Sequence, residues 1–597
     1  MDEGVFTVDV GGLVDLLSTH LYSGPQVYVR ELIQNGMDAR TARGGDPGAL
    51  IITCPSARED GGLSVRDHGI GLTRREATEL LTTIGASSKR LGDAPQDGDF
   101  LGQFGVGLLS GFLVSETITV RSRSAREPEA ETICWVGHSD GTFRVDTAAE
   151  PLAEPGTEVL LHPGADNPWT QDSMVFSLVR SYAGFLDCDI TLITGEGRTH
   201  LTPRKRPWGP GAPAELAAAR RELSQELFGF EPLTTFEVDL PAAGGSAVVF
   251  IEPEGVVNAD PGTRTAVWLR GMLITTHSRA LAPAWARFLR VAVQARDLRP
   301  AASREDIRTD DTQAETLRQL EQGIIDGLRR CRTEDPALFA RLVAAHTGAL
   351  LEACATEDRV ADMVRWVLPL RTDRGAATLE ELQATGLPLR FSRTTDVFRS
   401  LAPLLTGQMI LIDAARPAEA AFLSATLRQC PELDLALVDP GMLVDTLEAP
   451  DLPTRQGARG LLFIAEEALE PVDCRVELRS FRPATRRATY LQDPDVAGRI
   501  VAATAESERW SDILGVIDPF AGAGRPTLLL NAANDDVLEL IGLAARSEID
   551  FPRATAAVRA FYVRCLLESR LALSETATAW LMDMVDAPVR AALDDTH

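Results

Sequence analysis

The sequence predicts a layered α/β protein, α+β in its layering, with a mainly helical closing region; three observations predict it. Through residue 200, helical patterns at 11–22, 26–41, 74–85 and 105–115 interleave with the strand-like runs "GALIITC", "GLSVRD", "ETITVRSRS" and "GTEVLLH". Strand patterns return from "TTFEVDLPA" to "VWLRGMLITT" and give way to a helical run from about Thr312 to Arg330. The last stretch is rich in helical pattern and closes with "TAAVRAFYVRCLLESRLAL" and "ETATAWLMDMV". The 597 residues are several times the usual domain size, so three or four domains are expected. We divide them into a first domain at 1–200, a Pro- and Gly-rich linker at 201–214 around "TPRKRPWGPGAP", a second α/β domain at 215–450 and a helical domain at 451–597.

Composition excludes several classes. Lys and Arg total 59 against 86 Asp and Glu, a net charge of −27, which argues against a protein whose main work is gripping nucleic acid or an anionic membrane. The eight cysteines are scattered, with no Cys-x-x-Cys pair, and read as reduced, mostly buried thiols. The opening "MDEGVFTVDVGG" is acidic where a signal peptide would be basic, and no run approaches 18 apolar residues. A soluble, cytoplasmic protein is expected.

The chemistry concentrates in the first domain. In "YVRELIQNGMDAR", Glu31, Asn35 and Asp38 fall on one helical stripe with no basic residue on it, opposite Val29, Leu32, Ile33, Gly36 and Met37. The stripe either meets water on a surface helix or points carboxylate and amide oxygens at a cation and a water molecule. "VRDHGIGLT" puts Asp67 at a strand end, before Gly69 and Gly71, which let the backbone turn sharply and a planar ligand approach. A buried carboxylate there can accept a hydrogen bond from an exocyclic amine; the alternative is an ordinary Asp-x-Gly turn. "DFLGQFGVGLLSGFLV" sets Gly102, Gly105 and Gly107 before a helix-like run, an arrangement that offers backbone N–H groups to an anion or merely makes a tight loop. It lacks the Gly-Lys-Ser/Thr of a P-loop, and no acidic residue of a dinucleotide fold follows. The polar segment at about 73–104 serves either as a lid or as a surface connection. "PGTEVLLH" places Thr157 at a strand start, where its hydroxyl can support Asp67.

The order of these motifs is that of the ATPase superfamily shared by gyrase, heat-shock protein 90, histidine kinases and MutL. Within it, "LVDLLSTHLYSGPQVYVRELIQNGMDA", "DHGIGLT", "TTIGASS" and "LGQFGVGLLSGFLVSETITVRSRS" most closely resemble the heat-shock protein 90 chaperones, in particular their bacterial, high-temperature protein G type. "LRPAASREDI" resembles the middle-domain segment of that family, and "LLLNAANDDVLELI" with the closing helices resembles its dimerisation region.

The resemblance implies a Bergerat-type ATP-binding α/β sandwich, a middle domain that carries a catalytic Arg, and a homodimer formed through the carboxy-terminal helices. It implies that Glu31 orients or deprotonates the attacking water and that Arg304 reaches the γ-phosphate. Asn35 would hold Mg²⁺ through its amide oxygen, and Asp67, supported by Thr157 and a water, would bind the adenine amine. Asp38, Gly71, Leu72, Ser87, Lys89, Gly102, Gln103, Phe104, Gly105, Val106 and Gly107 complete the implied ATP contacts. The implied partners of the acidic stripe are therefore Mg²⁺ and water. Phosphoryl transfer needs positioning and charge neutralisation more than covalent help, which suits this set.

Two positions depart from the family pattern: Ala301 stands where Asn is usual and Arg308 where Gln is frequent, and the lid lacks the usual basic residue before its Ser, although Lys89 follows. The expected function is an ATP-dependent chaperone acting on client proteins, with no nucleic-acid or membrane partner. The alternatives are a DNA-repair or DNA-topology ATPase, a histidine kinase with His20 near its start, and a scaffold with a vestigial site. For a strand-cleaving enzyme the candidate nucleophile is Tyr490 in "RRATYLQ", which reads as an exposed loop tyrosine with a structural role.

Overall fold

The computed structural model describes residues 24–45, 48–81, 107–127, 129, 131–164, 166–201, 203–253, 265–301, 306–405, 408–438, 447–491, 525–546 and 548–594. The chain divides into two compact units, residues 1–349 and 350–597.

The first unit holds two sheets. Helix α1 (Val27–Arg43) leads into β1 (Leu50–Thr53) and β2 (Leu63–Arg66), then α2 (Arg74–Leu81) and a 3₁₀ segment, Gly107–Leu113. There follow β3 (Thr117–Arg123), β4 (Ile133–His138), β5 (Phe143–Thr147), β6 (Gly156–Leu161), α3 (Asp172–Ala183), β7 (Ile190–Thr194) and β8 (Gly197–Leu201). These strands form one sheet in the order β5-β4-β3-β6-β2-β1-β7-β8, antiparallel except where β1 runs parallel to β7 from the pair Leu50↔Ile190. One face of the sheet packs against α1 and α3, burying Tyr28, Leu32, Ile33, Val175 and Val179 with Leu50, Ile52, Ile118 and Val120. The expected helical pattern at 26–41 and all four strand-like runs of this domain are present, whereas that at 11–22 lies outside the described residues.

The second sheet follows α4 (Pro213–Phe228) and comprises β9 (Thr234–Leu240), β10 (Gly245–Ile251), β11 (Thr265–Leu269), β12 (Met272–Thr275) and β13 (Leu289–Ala295), ordered β12-β11-β13-β10-β9. Helix α5 (Asp311–Glu334) covers the expected run and starts at Asp310, whose carboxylate accepts the Gln313 N–H at 3.0 Å. Within the 201–214 stretch, residues 204–208 are tied down. Arg204 N–H donates to the Gly184 carbonyl at 2.7 Å, Arg206 pairs with Asp187 at 2.6 Å, and Trp208 is buried. The Trp208 ring lies 4.8 Å from that of Phe185 and 5.5 Å from that of Trp268 on β11. Aromatic burial of this size holds the first sheet and the second against one another.

After α6 (Pro336–Ala345) and α7 (Thr347–Cys354), the second unit contains α8 (Asp358–Val364), β14 (Pro369–Thr372), β15 (Gly375–Thr378), α9 (Leu379–Ala384), β16 (Leu389–Ser392), α10 (Thr395–Leu405), β17 (Ile410–Asp413), α11 (Pro417–Gln429) and β18 (Leu435–Leu437). Its first sheet runs β15-β14-β17-β16-β18, so the 215–450 stretch holds two separate sheets, one in each unit. Beyond it come α12 (Leu452–Gly457), α13 (Arg459–Leu469), β19 (Arg475–Arg479), β20 (Ala488–Leu491), β21 (Thr527–Asn531), α14 (Asp535–Ala545), α15 (Phe551–Glu568) and α16 (Glu575–Asp594). The five helices enclose a small sheet ordered β19-β21-β20.

Tyr490 is not the exposed loop residue that was expected. It lies on β20, buried, its ring 5.6 Å from that of Tyr562, because β20 pairs with β21 and α15 covers it. All eight cysteines are free and six are buried. Among the described residues no single helix is long and apolar enough to cross a membrane.

Candidate active site

Helix α1 is buried on more than its apolar side. Residues Val27 to Gln34 and Gly36 are all buried, and Glu31 is 0% exposed. A carboxylate so placed needs a counter-charge, and Arg30 supplies one: its Nη2 lies 3.4 Å from Glu31 Oε1. The Arg30 guanidinium also donates from Nη1 to the Ile274 carbonyl of β12 at 3.4 Å and sits 5.9 Å from the centre of the Tyr182 ring. This corrects the expectation that the acidic stripe has only a cation and water for company. Arg30 projects off the stripe on a helical wheel, but its long side chain folds back to the carboxylate within the packed interior. One turn further on, Asn35 is exposed, and Asp38 is half-buried.

Asp67 follows directly on β2, which lies between β6 and β1 in the sheet. Its side chain is 6% exposed, and Oδ1 accepts the Gly69 N–H at 2.7 Å and the Thr157 N–H at 3.3 Å. Among the described residues Oδ2 accepts no hydrogen bond. Burial raises the carboxyl to about 6, against the opposing pull of the Gly69 amide, the Arg66 charge and the Thr157 amide.

Thr157 thus meets Asp67 through its main-chain amide. Its hydroxyl lies 2.8 Å from Ser122 Oγ on β3, which accepts the Leu72 N–H at 2.8 Å. The 157 position does adjoin Asp67, but the hydroxyl is spent on Ser122, so its support of the carboxylate runs through the backbone. Sequence reasoning passed over Ser122. The available signal was strand alternation, which sets Ser122 on the same face as Ile118 and Val120, where a hydroxyl must find partners.

The glycines of "DHGIGLT" serve the chain itself. A Cβ on Gly69 would lie 2.6 Å from the Ala39 backbone of α1, and one on Gly71 would lie 1.9 Å from the Arg123 carbonyl oxygen. Close approach is therefore needed by α1 and β3, and Gly71 turns the chain at φ +64°. Gly71→Ala is expected to lower the melting temperature of the first unit by several degrees or abolish its folding, since it combines left-handed strain with a backbone collision of about 2 kcal/mol or more. Circular dichroism melts read this directly.

Of the remaining site positions, Gly107 opens the 3₁₀ segment packed against α1, and Leu72 is fixed by Ser122. Ser87, Lys89, Gly102, Gln103, Phe104, Gly105, Val106 and Arg304 lie outside the described residues, as does His20. The flanks of Arg304 are clear: Pro300 bridges Ile307, Ala301 N–H donates to the Asp306 carbonyl at 2.8 Å, and exposed Arg308 donates its N–H to the Arg299 carbonyl at 2.9 Å. The Asp306 carboxylate accepts the Ser278 hydroxyl at 2.5 Å and the Arg279 N–H at 3.1 Å, pinning that base.

The donor set suits Mg²⁺ held largely by phosphate and water. Mg²⁺ takes hard oxygen ligands and usually keeps several waters, and Asn35 offers one exposed amide oxygen a helical turn from Glu31.

Residues 22–157 match the family model described as histidine kinase-, DNA gyrase B-, and HSP90-like ATPase. The chain is 27% identical over 414 residues to Chaperone protein HtpG of Polaromonas naphthalenivorans (strain CJ2), covering 60% of this chain and 64% of the relative. It is 28% identical over 405 residues to the protein of that name from Methylobacterium sp. (strain 4-46), covering 62% and 64%, and 26% identical over 379 residues to that from Rickettsia rickettsii (strain Sheila Smith), covering 58% and 59%. These alignments span less than two thirds of the relatives' own length. Residues 22–157 are thus similar to these ATPases, and the chain is similar to the HtpG chaperones over about 60% of its length.

Proposed function

We propose that this protein is an ATP-dependent molecular chaperone that hydrolyses ATP slowly, acts on client proteins in the cytoplasm and works as a homodimer whose first domains close on nucleotide. The observation that carries the reading is Asp67: a buried carboxylate with Oδ1 held by two main-chain amides and Oδ2 left to accept a ligand N–H, beside the helix that bears Glu31 and Asn35. In this reading Asp67 takes the adenine amine, with Gly71, Leu72 and Thr157 shaping its surroundings. Asn35 would hold Mg²⁺, which would supply charge neutralisation at the phosphates. Asp38, Ser87, Lys89 and the 102–107 segment face the phosphates, Glu31 orients the attacking water, and Arg304 is delivered from the second domain, so that hydrolysis depends on closure. The working division is a nucleotide domain at 1–200 with its lid at about 73–104, a connection at 201–214, a middle domain at 215–450 and a dimerisation domain at 451–597. Exposed Leu567, Met582 and Val585 on the last two helices support a dimer contact there.

Steady-state ATP hydrolysis and nucleotide binding, measured on wild type, Arg304→Ala and Asn35→Ala, test the site. Arg304→Ala is expected to bind nucleotide normally and to lose turnover at least about tenfold, as an Arg on the transferred phosphoryl group would. Asn35→Ala, an exposed position with little structural cost, should remove the Mg²⁺ dependence of binding. Turnover of Arg304→Ala at the wild-type rate would remove the split-site mechanism. Suppression of the aggregation of an unfolded protein, dependent on ATP and lost in the same variants, tests the chaperone reading.

A further inference from the structure

Helix α15 and the turn before β20 enclose a cavity of about 160 Å³ in the second unit. Its walls carry Arg486, Arg487 and Arg564 against a single carboxylate, Glu568, with Pro483 and Phe561 as apolar flanks. Three guanidinium groups gathered on one cavity stand out in a chain of net charge −27.

Each guanidinium spends one donor atom. Arg486 Nη1 reaches Glu568 Oε2 at 3.0 Å, Arg564 Nε reaches Glu568 Oε1 at 2.7 Å, and Arg487 Nε pairs with Asp536. Among the described residues no acceptor engages the remaining nitrogens of these three side chains. The turn that presents Arg486 and Arg487 is rigid. Buried Asn531 donates from Nδ2 to the Phe481 carbonyl at 2.9 Å and the Arg486 carbonyl at 2.8 Å, and Asn534 Nδ2 donates to the Ala484 carbonyl at 2.8 Å. Both asparagines belong to the "LLLNAANDD" motif, so its amides act as struts for the arginines.

We propose that this cavity binds a small dianionic oxyanion of the phosphate class. Guanidinium forks match phosphate oxygens in pairs, and a fixed turn loses little ordering entropy on binding. The volume lies below the roughly 300 Å³ at which pockets for larger organic ligands begin, which favours a single oxyanion group over a nucleotide. Glu568 competes with the anion for Arg486 and Arg564.

The test is calorimetric titration of the full chain with inorganic phosphate, and in parallel with phosphoserine, at fixed ionic strength. Saturable binding is expected, weakened at least about tenfold in the double variant Arg487→Gln/Arg564→Gln and tightened several-fold in Glu568→Gln, because charge-assisted hydrogen bonds are lost in the first and released in the second. All three positions are partly exposed, so these variants are expected to fold, and their melts check it. Tighter phosphate than phosphoserine binding assigns the site to the free ion, and the reverse to an esterified phosphate. Absence of saturable binding, binding unchanged by the double variant, or weaker binding in Glu568→Gln overturns the proposal.

Discussion

Asp67→Asn is expected to lose adenine-nucleotide binding by about 100-fold or more while folding at least as well as wild type at pH 7.5. The two main-chain donors dictate the outcome. Gly69 N–H and Thr157 N–H point at Oδ1, so the asparagine amide must set its oxygen there and its NH₂ where Oδ2 was. In the proposed site that NH₂ faces the adenine amine, donor against donor, and a charge-assisted bond of about 1.5–3 kcal/mol is replaced by a repulsive contact.

Stability moves the other way. The Asp67 carboxyl titrates at about 6 in the folded chain and near 3.8 in the reference state, because burial penalises the charge. The folded state therefore holds its proton more tightly, and stability falls as pH rises from about 3.8 to about 6, a cost of about 3 kcal/mol that is fully present above that window. Removing the charge removes the cost, so the melting temperature of the unliganded variant should exceed that of wild type at pH 7.5, with the difference vanishing towards pH 4. The same titration predicts that wild-type nucleotide affinity weakens as pH falls below about 6, while any residual affinity of the variant does not. Calorimetry and thermal melts across pH 4–8 check both; an unchanged affinity in the variant would remove Asp67 from the nucleotide site.

For Glu31, the informative comparison is between glutamine and alanine. Glu31→Gln is expected to bind nucleotide within a few-fold of wild type and to lose ATP turnover by about 100-fold or more, the range that a positioned base supplies. Glu31→Ala should lose turnover equally but also destabilise the first unit by about 3–5 kcal/mol, because it leaves the guanidinium of Arg30, itself 2% exposed, buried without its carboxylate. Single-turnover hydrolysis and chemical denaturation separate the two effects. If Glu31→Gln turns over normally, the buried pair is structural and the water is positioned by another group.

Helix α1, strands β1, β2, β3 and β6 and the long helix α5 were all legible, because each carries its own apolar period. Asp67 was legible as a carboxylate ending a strand. Arg30 was not legible as a partner of Glu31, since residues adjacent in a helix point about 100° apart and only the packed interior turns the guanidinium back. Nor was the role of the Thr157 amide, which depends on pairing β2 with β6 across 90 residues. Tyr490 looked exposed among arginines until β21 and α15 closed over it. The 201–214 stretch reads as a linker by composition, yet Trp208 anchors it between Phe185 and Trp268.

Element types, the order of the candidate motifs and the family resemblance were thus written in local spacing, because helical and strand periods and glycine positions act over a few residues. The charge partners of Glu31, the protonation of Asp67 and the burial of Tyr490 belong to the folded chain, because burial and hydrogen bonding between distant strands decide which polar groups meet and how much water they keep.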